Sequence, residues 1–316
     1  MDKKYDIVSV GEILIDMTQI EQNNQGNPLF AAYSGGAPAN VAVAASRLGA
    51  STAFIGRIGN DLLGQGLRLA LENNGVDDSG LSTDPSAPTT IALVTMDENG
   101  ERDYTFLRSS GADVQLSVHD LPDGMIEQAK ILHFGSVSMT EEPCKSATLE
   151  AIERASRNGV LLSFDPNYRA ALWHDESEAV ELIRSLIPRC DILKMSSEEM
   201  TLFTSTANYA QGSAQLAEMG PFLVLVTLGE DGVFYRMGGV TGHVAAQKVV
   251  VSDRGGAGAA FMGVVLSQLC KLDDPRTIDQ KALEEILDLA NKAAGITASR
   301  PGAIPAMPMM EEVIRF

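Results

Sequence analysis

Short apolar runs recur along the chain at 7–10, 53–55, 131–134, 160–164, 192–195 and 222–227, and between them apolar residues return every three or four positions. The first pattern is that of buried strands, the second that of amphipathic helices. In 37–48, Pro38 stands near the start, Val41, Ala45 and Leu48 share a face, and Gly49 ends the pattern. The stretches 61–73, 143–158, 176–187 and 210–219 repeat it. Strands separated by helices predict right-handed crossovers and a mainly parallel sheet covered on both faces, an α/β fold.

One region breaks the rhythm. Two β-rich runs, 89–96 and 102–108, are joined by Asp97-Glu-Asn-Gly100, which predicts a hairpin rather than a crossover. With the loop-rich segment 13–33 it predicts a small β-lid, formed by about 12–33 and 88–109, over the α/β body. No repeat, low-complexity tract or Pro/Gly/Ser linker divides the chain, so 1–316 reads as one domain carrying that lid.

Composition narrows the partners. Of 316 residues, 24 are Lys or Arg and 42 are Asp or Glu, a net charge of −18. Nucleic acid and anionic membranes need a basic footprint that this balance does not supply. The acid excess fits either ordinary solubility or a salty cytoplasm. Cys144, Cys190 and Cys270 are odd in number and far apart, which indicates neither a disulfide framework nor a CxxC metal site and suggests a reducing, cytoplasmic setting. The start, Met1-Asp-Lys-Lys-Tyr-Asp6, is too polar for a signal peptide, no apolar run approaches the roughly 20 residues of a membrane span, and the four histidines lack metal-ligand spacing.

Two glycine clusters are candidates for chemistry. Asp253-Arg-Gly-Gly-Ala-Gly-Ala-Ala-Phe261 leads into a helical run at 262–270, so the amides of Gly256, Ala257 and Gly258 can face an anion at a helix start. A plain strand-to-helix turn also wants glycine there. It is neither a Walker A loop nor a G-x-G-x-x-G fingerprint. Ser34-Gly-Gly-Ala-Pro-Ala-Asn40 opens a second helix, either as a ligand loop using the Asn40 amide or as a tight turn with a cap. Asp16, following the first strand, stands at the carboxyl end of the predicted sheet, where open α/β sheets bind ligands.

Together these segments resemble a known family. Ser34-Gly-Gly-Ala-Pro-Ala-Asn-Val-Ala42 with Arg47-Leu-Gly49, then Gly56-Arg-Ile-Gly-Asn-Asp61, Asp165-Pro-Asn-Tyr-Arg169 with Leu172-Trp173, Lys194-Met-Ser-Ser-Glu-Glu199, Thr227-Leu-Gly-Glu-Asp-Gly232 and the 253–261 loop occur in the order of ribokinase-like (PfkB-type) sugar kinases. The resemblance spans nearly the whole chain and is greatest to the fructokinases, with kinases of 2-keto-3-deoxygluconate next. It implies a three-layer α/β/α fold, ATP, Mg²⁺ and K⁺ as cofactors, a small sugar as substrate, and a possible homodimer through the lid. It further implies that Asp16, Gly35, Gly36 and Asn40 bind the sugar, that Arg108 on the lid hairpin caps it, and that Asn167 and Arg169 lie between sugar and phosphates. Lys194, Thr227, Gly229, Gly232 and Asn291 would serve the nucleotide, and Glu199 would help to organise Mg²⁺ through water, although Ser196 stands where the family has Asn. Asp253 and residues 298–302 would form the monovalent-cation region.

One departure bears on function. The family motif reads Asp-Thr-Thr-Gly-Ala-Gly-Asp-Ala-Phe, whereas Arg254 and Gly255 replace its Thr pair here and Ala259 replaces the Asp expected to be the catalytic base. A methyl group accepts no proton, so the sequence predicts a fructokinase-like phosphotransferase of impaired activity, or a catalytically silent sugar or nucleotide sensor.

Overall fold

The computed structural model describes residues 3–96 and 102–316. Its strands are β1 (Tyr5–Val10), β2 (Leu14–Gln22), β3 (Pro28–Gly35), β4 (Thr52–Gly59), β5 (Val76–Asp84), β6 (Ile91–Met96), β7 (Arg102–Leu107), β8 (Ala129–Phe134), β9 (Leu161–Phe164), β10 (Ile192–Ser196), β11 (Leu223–Thr227), β12 (Val233–Met237) and β13 (Val240–Val244). Its helices are α1 (Ala37–Arg47), α2 (Leu62–Glu72), α3 (Cys144–Arg157), α4 (Glu176–Leu186), α5 (Ser197–Thr204), α6 (Tyr209–Glu218), α7 (Ala257–Leu269), α8 (Gln280–Ala298) and α9 (Met310–Arg315).

The central sheet has the order β13-β12-β11-β10-β9-β8-β1-β4-β5, parallel from β11 to β5 and closed at one edge by the antiparallel β12 and β13. Adjacent residues of a strand serve opposite faces. Ile7, Ile131, Ile192 and Leu223 join a core with α1, α2, α7 and α8. Val8, Leu132, Leu193 and Val224 join a second core with α3, α4, α5 and α6. This is why the strands read as unbroken apolar runs: both faces are covered, and each fully buried Ile, Leu or Val adds roughly 1.5–3 kcal/mol.

The lid is a four-stranded sheet in the order β3-β2-β6-β7. The predicted hairpin strands pair antiparallel as β6 and β7, while its turn, 97–100, lies outside the described residues. The segment 13–33, loop-rich by sequence and expected to form part of the lid, does so as regular strands. It is a hairpin of β2 and β3, with β2 also pairing parallel with β6. Its alternation is interrupted by a bulge between Gln19 and Glu21, and its pairing partner β6 is remote in sequence, so no local pattern announces it. The β12–β13 hairpin also escaped the sequence reading, although Gly238-Gly239 is a turn signal.

The chain leaves β1 first towards β4 and β5, then crosses to β8 and continues outward to β11. At the carboxyl ends of β1 and β8 the connections therefore diverge and leave a crevice, the place where open α/β sheets hold ligands.

Candidate active site

The crevice is a cleft of about 750 Å³ between the sheet ends, the lid and the start of α7, a usual size for a small-molecule site. A side pocket of about 420 Å³ opens beside it and shares Asn167, Arg169 and Lys194 with it.

One end of the cleft is rich in acceptors. Asp16 lies here, on lid strand β2 rather than on the loop after β1 that the sequence suggested. Gly35 is glycine because a Cβ there would stand 2.5 Å from the Asp16 carboxylate, and Gly36, at φ 109°, because a Cβ would lie 2.4 Å from the Glu12 carbonyl oxygen. Asn40 projects from the first turn of α1, with Pro38 before it fixing the start of the helix. Glu12 is 3% exposed, accepts the Ala37 N–H at 2.8 Å, and is pushed up to about 7 by its burial. Glu12 Oε2, Asn40 Oδ1 and, further along, Asp165 Oδ1 are buried oxygens for which the described residues supply no donor.

The other end is built for an anion. The 253–261 loop of the sequence reading is already helical from Ala257, and Gly256 caps it with a left-handed φ of 79°. The first hydrogen bond of the helix runs from Ala260 N–H to Gly256 oxygen at 2.8 Å, so the preceding amides of the first turn have no intrahelical acceptor. Gly256, Gly258 and Ala259 line the cleft. Lys194 Nζ lies 3.1 Å from where a Cβ on Gly258 would stand, which keeps that position small. Lys194 is buried and paired with Asp165 at 2.9 Å. Burial opposes its charge, but Asp165 and Glu199 outweigh that and hold its pKa above the usual lysine value. Asn167 has a left-handed φ of 44°, a conformation that asparagine tolerates better than most residues and that clusters at ligand sites. Arg169 reaches from the body to the lid, its guanidinium 5.5 Å from the centre of the Tyr104 ring.

The remaining expected positions divide. Glu199 Oε1 accepts the Tyr168 N–H at 2.7 Å and Oε2 the Ser196 N–H at 2.8 Å, so it ties the 165–169 loop to the capping box of α5; burial and the Asp165 charge raise its pKa. Asp253 accepts from Gly255 at 2.6 Å and Gly302 at 2.9 Å, and the Ser252 and Asp253 amides donate to Ala298, which brings the two predicted segments of the cation region together. Arg254 is exposed at the cleft rim. Thr227, Gly229, Gly232 and Asn291 are not part of the cleft wall. They gather around the β11–β12 turn and the end of β13, where Asn291 donates to the Val244 oxygen at 3.0 Å and a Cβ on Gly232 would stand 2.1 Å from that same oxygen.

Arg108 directly follows the lid strand β7. The sequence put it on the lid hairpin over the sugar; β7 ends at Leu107 and Arg108 is turned into the protein. Its guanidinium pairs with Asp113 at 2.7 Å and donates to Thr140 Oγ1 at 2.6 Å and the Val137 oxygen at 3.1 Å. Val137, whose oxygen it binds, belongs to the cleft wall. Tyr104 and Phe106 line the cleft from the lid. Glu12, Asp165 and Tyr104 are among the cleft residues to which sequence reasoning gave no role. Glu12 carried a signal of sorts, as a carboxylate directly after an apolar strand.

The descriptive comparisons agree with one another. Residues 4–310 match the model of the pfkB family of carbohydrate kinases. The chain is 41% identical over 314 residues to Fructokinase-1 of Oryza sativa subsp. japonica, covering 98% of this chain and 97% of that protein. Among solved structures it is similar to fructokinase with bound ATP from Xylella fastidiosa, with TM-score 0.90 and 32% identity over 98% of both chains. It is also similar to a fructokinase double mutant from Vibrio cholerae O395 in its fructose-, ADP- and potassium-bound form, with TM-score 0.90 and 31% identity over 100% of this chain and 99% of that one.

Proposed function

Because the chain belongs to the pfkB family of carbohydrate kinases, we propose that it transfers the γ-phosphate of ATP to the primary hydroxyl of fructose, with Ala259 limiting the rate. The observation that carries this reading is the polarity of one continuous cleft: buried acceptors at one end and helix amides with Lys194 at the other. A ligand for the first end must bring many O–H donors, as a sugar does. A ligand for the second must bring phosphate oxygens.

In this reading Asp16 and Asn40 orient the sugar from the lid and α1, so that its primary hydroxyl points towards the α7 amino end. Phosphate is held there by the Gly256, Ala257 and Gly258 amides and by Lys194, with Arg169 as the planar fork between the two ligands. These groups stabilise charge on the transferred phosphoryl, which is where most phosphoryl-transfer catalysis lies. The attacking hydroxyl sheds its proton as the new P–O bond forms and the bond from the γ-phosphorus to the bridging oxygen of ADP breaks, ADP leaving with that electron pair; in this chain the proton passes to water.

The residues also suit the metal that such a reaction employs. Asp165 Oδ1 is a buried, donorless oxygen of the kind a hard cation takes, and the described residues contain no cluster of three carboxylate, His or Cys ligands. Mg²⁺ would be held by Asp165, water and phosphate oxygens, with Glu199 helping to organise it through water, and would supply charge neutralisation. Asp253 and 298–302 would border K⁺. The lid carries exposed Ile20, Leu29, Phe30 and Leu107, apolar surface that supports a homodimer through the lid, and sedimentation tests it.

Ala259 favours a second reading, a sensor that binds sugar without turnover. Calorimetry with fructose, 2-keto-3-deoxygluconate and ribose beside a coupled ADP-release assay separates the two. Kinase activity on fructose supports the first, and tight binding without ADP release supports the second. Gly36→Ala places a methyl against the Glu12 carbonyl at a positive φ, a strain of about 1–3 kcal/mol. It is expected to weaken fructose binding about tenfold or more while ATP binding stays, read by the same calorimetry. Arg169→Lys keeps the charge but loses the fork and the Tyr104 contact, and is expected to lower kcat more than it raises the KM for fructose.

A further inference from the structure

Glu12 stands where three parts of the molecule meet: it follows β1 of the central sheet, precedes β2 of the lid and faces the amino end of α1. It holds the 34–40 loop twice, with its backbone carbonyl packed under Gly36 and its side-chain Oε1 accepting the Ala37 N–H. Its Oε2 and the nearby Asn40 Oδ1 both lack a donor among the described residues, and both residues belong to the cleft wall with Asp16. Charged and titratable neighbours come from every side. Arg108 after β7 favours the carboxylate, Asp113 in the turn Ala112–Gln115 disfavours it, Asp16 on β2 adds an acid to the same wall, and the Cys144 thiol at the start of α3 stays protonated in this setting.

We propose that Glu12 is a positioning residue that makes sugar binding proton-linked: as a polyol fills the cleft, Glu12 releases its proton and grips the 34–40 loop as a carboxylate. The proposal rests on the reading of the cleft as a sugar site. A charged acceptor makes a hydrogen bond roughly twice as strong as a neutral one, and the first turn of α1 favours negative charge. The bond is already made at 2.8 Å, and sugar hydroxyls held by Asp16 and Asn40 keep the loop in that geometry, so bound sugar favours the charged form. Burial has already brought the acid up to about 7, so both forms are populated near neutrality. The acid O–H bond breaks, its electron pair stays on the carboxylate, and the proton goes to the buffer.

Two measurements on the full chain and its Glu12→Gln variant test this. In the first, fructose binding is followed calorimetrically at pH about 6, about 7 and about 8, in buffers of different ionisation enthalpy. Binding near pH 7 is expected to release on the order of half a proton, and the Kd to fall about three- to tenfold across the range. Glu12→Gln is expected to bind with one pH-independent affinity and release none. The second needs no sugar. A carboxyl whose folded pKa is raised contributes stability that is present below its ordinary value and lost as pH rises through the folded one. The difference in denaturation midpoint between the chain and Glu12→Gln should therefore shift between pH 4.5 and about 7. Proton release that persists in Glu12→Gln overturns the proposal, as does a stability difference that ignores pH. Bound fructose without proton release defeats the linkage and spares the fructose reading. A pH-dependent stability difference with no fructose binding at any pH defeats that reading and the linkage with it.

Discussion

Ala259→Asp is expected to raise the rate of ADP release with fructose by about 10²–10⁴-fold, the usual contribution of a positioned general base. At about 1.36 kcal/mol per tenfold this is ~2.7–5.5 kcal/mol of barrier. The site favours the substitution. Ala259 is the third residue of α7, lines the cleft and is 8% exposed, and a carboxylate in a first helical turn is stabilised by the unpaired amides there. Such an aspartate stays ionised and can take the proton that now has to reach water. The gain should fall in kcat, because the methyl group already fills the position and the sugar end of the cleft is untouched. A chain that already turns over at ordinary kinase rates, and gains nothing from aspartate, would show that the proton leaves by another route. A variant that binds fructose and ATP tightly but still transfers no phosphate would favour the sensor.

The second large effect concerns stability. Arg108→Ala leaves Asp113 as a buried carboxylate without its partner, for the two side chains are 4% and 1% exposed. Removing one member of such a pair costs about 3–5 kcal/mol. The denaturant midpoint is expected to fall accordingly with little change in slope. Asp113 also bonds Thr90 Oγ1 just before β6, and Arg108 bonds the turn Val137–Met139, so the loss falls on the joint between lid and body. The double variant Arg108→Leu/Asp113→Leu should recover much of the stability, because neither charge then remains buried. A role of Arg108 in capping the sugar would add weakened fructose binding in Arg108→Ala, which calorimetry beside the denaturation curve reads separately.

The alternation of strands and helices that makes the sheet mainly parallel was legible because its inner strands are buried on both faces. The positions of Asp16 and Arg108 were not legible, for opposite reasons. Asp16 sits on a half-exposed strand whose pairing partner β6 is remote in sequence, and its bulge breaks the period-two pattern. Arg108 looks like a lid residue because it follows a strand of the lid hairpin. Whether its side chain turns out to ligand or in to Asp113 depends on a buried acid five residues on and a turn about thirty residues away.

By itself the sequence determined the layered α/β architecture, the two glycine loops at helix starts and the absence of a carboxylate at Ala259, since these depend on local periodicity, backbone freedom and residue identity. Only the tertiary structure decided which carboxylates are buried and against what: Asp165 with Lys194, Asp113 with Arg108, and Glu12 against the Ala37 amide. Net charge and spacing are blind to this, because desolvation and Coulomb attraction vary with the few ångströms between groups that the folded chain alone brings together.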